Sequence, residues 1–254
     1  MMNSVLFSCV IPVKGPRPYF EEAVASLQNQ GMGEALEVLI QDGDVEPDAG
    51  QSDALNKGFA KAKGEWLFWL NADDVLLSGA LEKVSDRINR INRIDWITGN
   101  QLLIDDAGRV LKCSVGNGWH DWLYRHAVPH VYGPSSFFRR ELFVKVSGFD
   151  ASLKYCMDWD LWIRFMKAGA RFVRIGDYLW AQRQWTGSKT QRPLEASELE
   201  IQQLEIQGML ASNGFTVTKR GKMLNRIWRM LNGNYVREMV DGFRMRGRCA
   251  SLRG

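Results

Sequence analysis

Short apolar runs alternate with amphipathic stretches through the first third of the chain. Val5–Val13 is apolar apart from Ser8 and is broken by Gly15-Pro16-Arg17-Pro18, which predicts a first strand. Tyr19–Gln30 carries Phe20, Ala23, Val24 and Leu27 at helical spacing. Leu36–Gln41 predicts a second strand ending at Asp42-Gly43-Asp44, and Ser52–Lys63 a helix closed by Gly64. Trp66–Leu70 is apolar at every position and so predicts a central strand, which stops at Asn71-Ala72-Asp73-Asp74. Strands and helices taking turns in this way predict an α/β fold, a mostly parallel central sheet with helices on both faces.

Further along the pattern is mixed. A helix is expected at about Ser78–Arg93, then strands at Trp96–Ile104 and Val110–Val115 joined by the turn Asp105-Asp106-Ala107-Gly108. Helices follow at Arg140–Val146 and Asp158–Ala168, strands at Arg171–Ile175 and Tyr178–Arg183, and a long helix from Pro193 to Asn213-Gly214. The tail writes one pattern twice: Met223, Leu224, Ile227, Trp228 and Leu231, then Tyr235, Val236, Met239, Val240 and Phe243 after Asn232-Gly233-Asn234. This organisation predicts a catalytic domain over 1–190, in two halves at 1–110 and 111–190, and a helical extension over 191–254 with a basic tail.

A chain of 254 residues, 45% hydrophobic and 24% charged, has the composition of a soluble globular protein with one large core. Its net charge of +4 conceals a division: residues 219–254 hold ten basic and two acidic residues, a surplus of eight, and the remainder is mildly acidic. An anionic partner met by the tail is expected, and two readings stay open for its apolar stripes, docking on the body or lying in an anionic membrane surface. The tail's aromatics keep to the helical stripe and do not interleave with its basic face, which speaks against nucleic acid. Cys9, Cys113, Cys156 and Cys249 are too scattered for a disulfide framework or a zinc site, and the start of the chain has neither a basic leader nor a cleavage site. A cytoplasmic location, peripheral on the inner face of the cell membrane, is the corresponding expectation.

Ligands of open parallel sheets bind beyond the carboxyl ends of the strands, where Asp42 and the Asn71–Asp74 group fall. Asp73 and Asp74 could anchor a hard cation on a diphosphate, with Asn71 or Asp42 bonding ribose and base. The alternative is that these residues make turns and cap the next helix.

The stretch Glu46-Pro47-Asp48-Ala49-Gly50-Gln51-Ser52-Asp53-Ala54-Leu55-Asn56-Lys57-Gly58, then Ala62-Lys63-Gly64-Glu65 and Leu70-Asn71-Ala72-Asp73-Asp74, resembles family 2 of the inverting glycosyltransferases. Pro134-Ser135-Ser136-Phe137-Phe138-Arg139-Arg140-Glu141, Gly148-Phe149-Asp150 and Met157-Asp158-Trp159-Asp160-Leu161-Trp162 are similar to that family's acceptor-side segments, so the resemblance covers about residues 4–190. It implies an A-type nucleotide-sugar-binding fold and transfer of a sugar from a nucleoside-diphosphate donor to a glycan or lipid-linked glycan acceptor, with Mn2+ or Mg2+ as cofactor. It implies donor contacts from Pro12, Val13, Asp42, Asp53, Asn71, Ala72 and Asp73, with Asp73 also the metal ligand. It implies Asp158 as catalytic base; Asp74, Ser135, Arg139, Trp159 and Trp185 are further candidates, on the acceptor side or elsewhere in the site. Two positions depart from the pattern: Asn71 stands where the motif's first acid is expected, and Trp185 where the family often has a histidine before Thr186-Gly187-Ser188-Lys189-Thr190.

Between the neighbouring acids, Asp158 shares a helix face with Leu161, Trp162 and Phe165, whereas Asp160 lines up with Arg164. Partial burial would tune Asp158 as a base that takes the acceptor's proton while the hydroxyl attacks the anomeric carbon opposite the diphosphate. A plain helix cap is the alternative. Trp119, Trp122 and Trp185 could stack on a sugar or belong to the core. Arg139-Arg140 could meet phosphate or simply begin a helix. His120, His126 and His130 are weak metal candidates. A tail on the membrane would suit a lipid-linked or lipopolysaccharide-type acceptor, in bacterial surface polysaccharide assembly. The rival functions are a sugar-phosphate nucleotidyltransferase, for which Val13-Lys14-Gly15-Pro16-Arg17 is a poor glycine-rich loop, and a nucleotide-sugar-binding module without turnover.

Overall fold

The computed structural model describes residues 5–118, 120–188 and 195–250. Strand β1 (Phe7–Val13) lies between two parallel neighbours, β2 (Leu36–Asp42) and β3 (Trp66–Trp69). Alternation along β1 sends Phe7, Cys9, Ile11 and Val13 into one apolar layer and Val10 into the other. The first layer is closed by α1 (Phe20–Gln28) and α3 (Ala80–Arg90), which contribute Ala23, Leu27, Leu81 and Val84. The second is closed by α2 (Gln51–Ala60), α5 (Arg140–Lys145) and α6 (Met157–Lys167), through Leu55, Phe59, Leu142, Trp162 and Phe165. A strand covered on both faces has no use for a polar side, which is why Trp66–Trp69 is apolar throughout.

Beyond β3 the sheet becomes mixed. Its order is β2-β1-β3-β7-β5-β8-β4, with β4 Val75–Leu76, β5 Trp96–Ile104, β7 Ser136–Arg139 and β8 Phe172–Arg183, and β6 (Val110–Ser114) hairpinned onto β5. The long ladders β1–β2 and β5–β8 are parallel, so the parallel pairing expected from the sequence holds for most paired positions; β7 inserts antiparallel between the two halves. Residues 171–183, read as two strands from the break at Gly176-Asp177, form one strand. Its ladder with β5 absorbs the break as register shifts around Gly99 and Asn100.

Three helices follow. The end of α7 (Ala196–Asn213) packs Met209 and Leu210 against Cys156 and Ile163 beside α6. Pro193, its expected first residue, lies outside the described residues. Helix α8 (Lys219–Leu231) rests on the short α4 (Asp121–His126), and α9 (Asn234–Met245) on β6. All four cysteines are free. Among the described residues no helix is long and apolar enough to cross a membrane.

Candidate active site

At the carboxyl ends of β1 and β3 a cavity of about 420 Å³ opens between the loops that follow them. Pro12 and Val13 form its floor from β1, Lys14, Arg17 and Asp48 one rim, Asn71, Ala72, Asp73 and Asp74 the wall from β3, and Arg183, Trp185 and Gly187 the far side. Lys14 and Arg17 bring cations to a recess beside a strand end, the setting in which phosphate oxygens are bound.

The acids of the wall have distinct surroundings. Asp74 is 2% exposed and its carboxylate accepts hydrogen bonds from the Arg183 backbone N–H at 3.0 Å and the Asn71 amide at 2.7 Å. Burial above all, and next the charge of Asp73, push its pKa up to about 8 against the pull of these donors. A second acid in place of Asn71 would face Asp74 at that same 2.7 Å, so the neutral amide removes a like-charge contact from the interior. Asp73, half-buried at the cavity, accepts at Oδ2 a hydrogen bond from the Trp185 indole N–H at 2.9 Å. Tyr19 packs edge-on against Trp185, and the guanidinium of Arg183 lies 4.4 Å from the centre of the Tyr19 ring. Arg183, 1% exposed, also donates to the carbonyl of Asp73 at 3.0 Å and to Glu22 at 2.6 Å, and so ties β8 to the loop after β3.

A second cavity of about 500 Å³ adjoins the first, and Gln51, Asn71 and Gln182 line both. Asp158 opens into it from the first turn of α6, beside Gly133. A side chain at position 133 would meet the Trp69 ring at 2.6 Å and approach Asp158 Oδ2 at 3.5 Å; glycine lets the loop lie flat there. Burial raises the Asp158 carboxyl above its ordinary value, with the backbone N–H groups of Trp159 and Asp158 itself working the other way. The loop entering α6 is held by Glu205 of α7, which accepts from the backbone N–H groups of Lys154, Tyr155 and Cys156 at 2.9, 2.6 and 3.0 Å. Burial opposes the charge of Glu205, but these donors outweigh it and hold the carboxyl below the usual range.

The profile of glycosyl transferase family 2 matches residues 44–146. That stretch, less than half of the chain, is similar to family 2 of the glycosyltransferases. It contains Asp48, Gln51, Asn71–Asp74 and Gly133, and stops short of Asp158, Gln182 and Trp185. A Rickettsia prowazekii protein described as an uncharacterized glycosyltransferase is 26% identical over 193 residues, covering 66% of this chain and 60% of its own length. A PGL/p-HBAD biosynthesis glycosyltransferase of Mycobacterium bovis is 24% identical over 198 residues, 68% of this chain and 74% of that one. The chain thus spans about 60% of the length of the rickettsial relative. In fold it is similar to Staphylococcus aureus TarS 1-349 in complex with UDP-GlcNAc, with a TM-score of 0.63 at 16% identity, over 82% of this chain and 66% of that one. It is also similar to the mannosyltransferase PcManGT of Pyrobaculum calidifontis in complex with GDP-Man and Mn2+, with a TM-score of 0.51 at 17% identity over 69% and 56% of the two chains. The A-type glycosyltransferase fold expected from the sequence is the fold observed.

In and around the matched stretch the expected site residues divide into two groups. Pro12, Val13, Asn71, Ala72, Asp73, Asp74 and Trp185 line the first cavity and Asp158 the second. Asp42 and Asp53 line neither: Arg17 holds Asp42 at 2.8 Å, and Asp53 pairs with Lys57 at 2.9 Å and accepts from the Ala49 N–H at 3.0 Å. Ser135 is buried and bonds the carbonyls of Gly99 and Tyr132. Arg139 sits at the opposite end of β3, over the Trp66 ring and paired with Glu65. Trp159 packs beside Cys156 and Ile163. Asp160 is bound by Arg164 at 2.6 Å. Trp122 stacks at a tilt on His126, and Trp119 lies outside the described residues. His130 is half-buried and its pKa is pushed down to about 4, by burial first and Arg229 next, and among the described residues no cluster of three metal-binding side chains occurs. Gln51, Gln182, Arg183 and Glu205 escape a reading of the sequence because each is an ordinary polar residue within a regular element. The sole local hint is Arg183, a charge closing an apolar strand.

Proposed function

We propose that this chain is an inverting glycosyltransferase that binds a nucleoside-diphosphate sugar in the first cavity and an acceptor hydroxyl in the second. The adjoining of the two cavities carries this reading: a shared wall of Gln51, Asn71 and Gln182 is where an anomeric carbon would sit between leaving diphosphate and incoming oxygen. Further support comes from the family 2 match and from fold neighbours whose structures hold UDP-GlcNAc or GDP-Man.

In this mechanism Lys14 and Arg17 receive the phosphates, while Asn71 and Gln51 orient the ribose and sugar side. Asp158 accepts the proton of the acceptor hydroxyl as its oxygen attacks the face opposite the diphosphate. The carbon passes through an oxocarbenium-like state and its configuration inverts in one displacement. A cation of the Mg2+ or Mn2+ kind is bound by one or two carboxylates together with phosphate oxygens, and Asp73 fits as a single such ligand, its Oδ1 remaining beside the oxygen that Trp185 engages. That cation, when bound, would neutralise the departing diphosphate. The acceptor proposed is a glycan or lipid-linked glycan of the cell surface, used from the cytoplasmic side.

Asp158→Asn tests the reading. Nucleoside diphosphates with Mn2+ should raise the melting temperature of parent and variant alike, while transfer and donor hydrolysis fall about 10²–10⁴-fold in the variant. The parent's rate should be lost as pH falls through the raised pKa of Asp158, because the base must be unprotonated. Donor binding with no turnover in the parent on any sugar acceptor would leave a binding module instead, and pyrophosphate release from nucleoside triphosphate and sugar phosphate a nucleotidyltransferase.

A further inference from the structure

The two tail helices are inside out. Helix α8 meets the body through Gly221, Asn225 and Arg229, spaced four residues apart on one face and all buried. A side chain at 221 would strike the His126 carbonyl oxygen at 2.0 Å, so glycine brings the helix backbone down onto α4. Asn225 accepts from the Asn117 amide at 2.8 Å, and Arg229 donates to the Val115 carbonyl at 2.8 Å, Asn117 Oδ1 at 3.0 Å and Glu238 at 2.7 Å. Helix α9 adds Asn234, donating to Asn117 Oδ1 at 3.0 Å, and Asp241, accepting from the Tyr178 hydroxyl at 2.8 Å. The centre of the seam is therefore polar, with Trp228 edge-on against His120 and Met245 against the cluster of Leu102 and Val110 at its margins.

Most of the apolar stripe faces out, with Leu224, Trp228 and Val240 half-buried. On α8, Met223, Ile227, Met230 and Leu231 are exposed, Leu231 to 76%; on α9, Tyr235, Val236, Met239 and Phe243 are exposed, Phe243 to 86%. Cations accompany them: Lys222, Arg226, Arg244, Arg246 and Arg248 are exposed, while the two acids of the tail are turned to Arg229, Arg237 and Tyr178. The core of a protein–protein interface is depleted of charge, yet here Lys222 and Arg226 directly precede Met223 and Ile227. A bilayer surface accommodates that mixture, since apolar side chains enter the acyl boundary while lysine and arginine heads remain among anionic headgroups.

We infer that α8 and α9 dock this chain on an anionic lipid surface through Met223–Leu231 and Tyr235–Phe243, the adjoining cations reading the headgroup charge. The docking stands on the tail alone. A consequence for the acceptor rests on the transferase reading: Asn225 also reaches toward His130 and the Val128 carbonyl, and residues 131–134 line the cavity of Asp158, so a docked tail would hold the acceptor cavity close to the lipid.

The full chain, floated with phosphatidylcholine vesicles with and without phosphatidylglycerol, should rise with the anionic vesicles only and be released by salt. Leu231→Ser with Phe243→Ser, and separately Arg226→Glu with Arg244→Glu, should each lower vesicle binding at least about tenfold; these side chains point to solvent, so the nucleoside-diphosphate thermal shift should be unchanged. No flotation at low salt, equal flotation of the variants, or a concentration-dependent dimer abolished by the serine pair would overturn the inference. A thermal shift without flotation would remove the docking alone, and flotation without a thermal shift would remove the transferase reading alone.

Discussion

Trp185 and Asn71 set what Asp73 can do. An indole N–H is a donor only, so Trp185 orients the Asp73 carboxylate at 2.9 Å and contributes nothing to a cation, and Asn71 spends its amide on Asp74 while its Oδ1 accepts from Gln51 at 3.0 Å. One carboxylate is left for a metal where two acids and an imidazole would hold it more tightly. Trp185→His should restore an imidazole nitrogen beside Asp73 and lower the Mn2+ concentration for half-maximal turnover by about tenfold or more. A manganese titration at saturating donor checks it, and an unchanged midpoint would mean that Asp73 does not hold the cation. Trp185 was legible in the sequence as a departure from a pattern. Its bond to Asp73 was not, because the two are 112 residues apart and meet only when β8 lies in the sheet.

Among the elements, α6 carries the proposed base, and its position depends on a helix far along the chain. The amino end of α6 has no side-chain cap of its own; the three N–H groups leading into it are satisfied by Glu205. Glu205→Gln keeps an acceptor but loses the charge, and should destabilise the protein by about 1–2 kcal/mol near neutral pH, since hydrogen bonds to a charged group are worth more than neutral ones. The sign with pH follows from the depressed carboxyl: the contribution is present above the unfolded value and is lost as pH falls through the folded one, so parent and variant should converge in acid. Thermal melts across pH check this, and a constant gap would rule out the charge of Glu205 as the cause. The effect on turnover should appear in kcat more than in donor binding, because α6 bears Asp158 and not the donor wall. From its sequence, α7 shows acids and apolar residues without a clear stripe, so nothing local marks Glu205.

Over the whole molecule, the arrangement that matters is the meeting of two cavities along Gln51, Asn71 and Gln182. Gln51 begins α2, Asn71 follows β3 and Gln182 belongs to β8, so the shared wall is assembled from both halves of the sheet. Gln51→Ala should therefore weaken donor binding and raise the acceptor KM together, each by about three- to tenfold for the loss of a hydrogen bond. Nucleotide-diphosphate titration and acceptor kinetics measure the two; a change confined to one would place Gln51 in that cavity's chemistry alone.

The alternating pattern, the apolar β3 and the acids at its end were sufficient to derive the parallel core and the strand-end position of Asp73, because local periodicity and chain order govern those features; the family resemblance rests instead on the ordered motifs. Tertiary structure alone decided that β7 enters antiparallel, that Asp42 and Arg139 turn to Arg17 and Glu65, and that α8 buries its polar face. The physical reason is the same in each case. The spacing of apolar residues tells that a helix has two unlike faces, and a carboxylate tells that it needs a partner. Which face is covered and which partner arrives are settled by elements that are distant in sequence and adjacent in space.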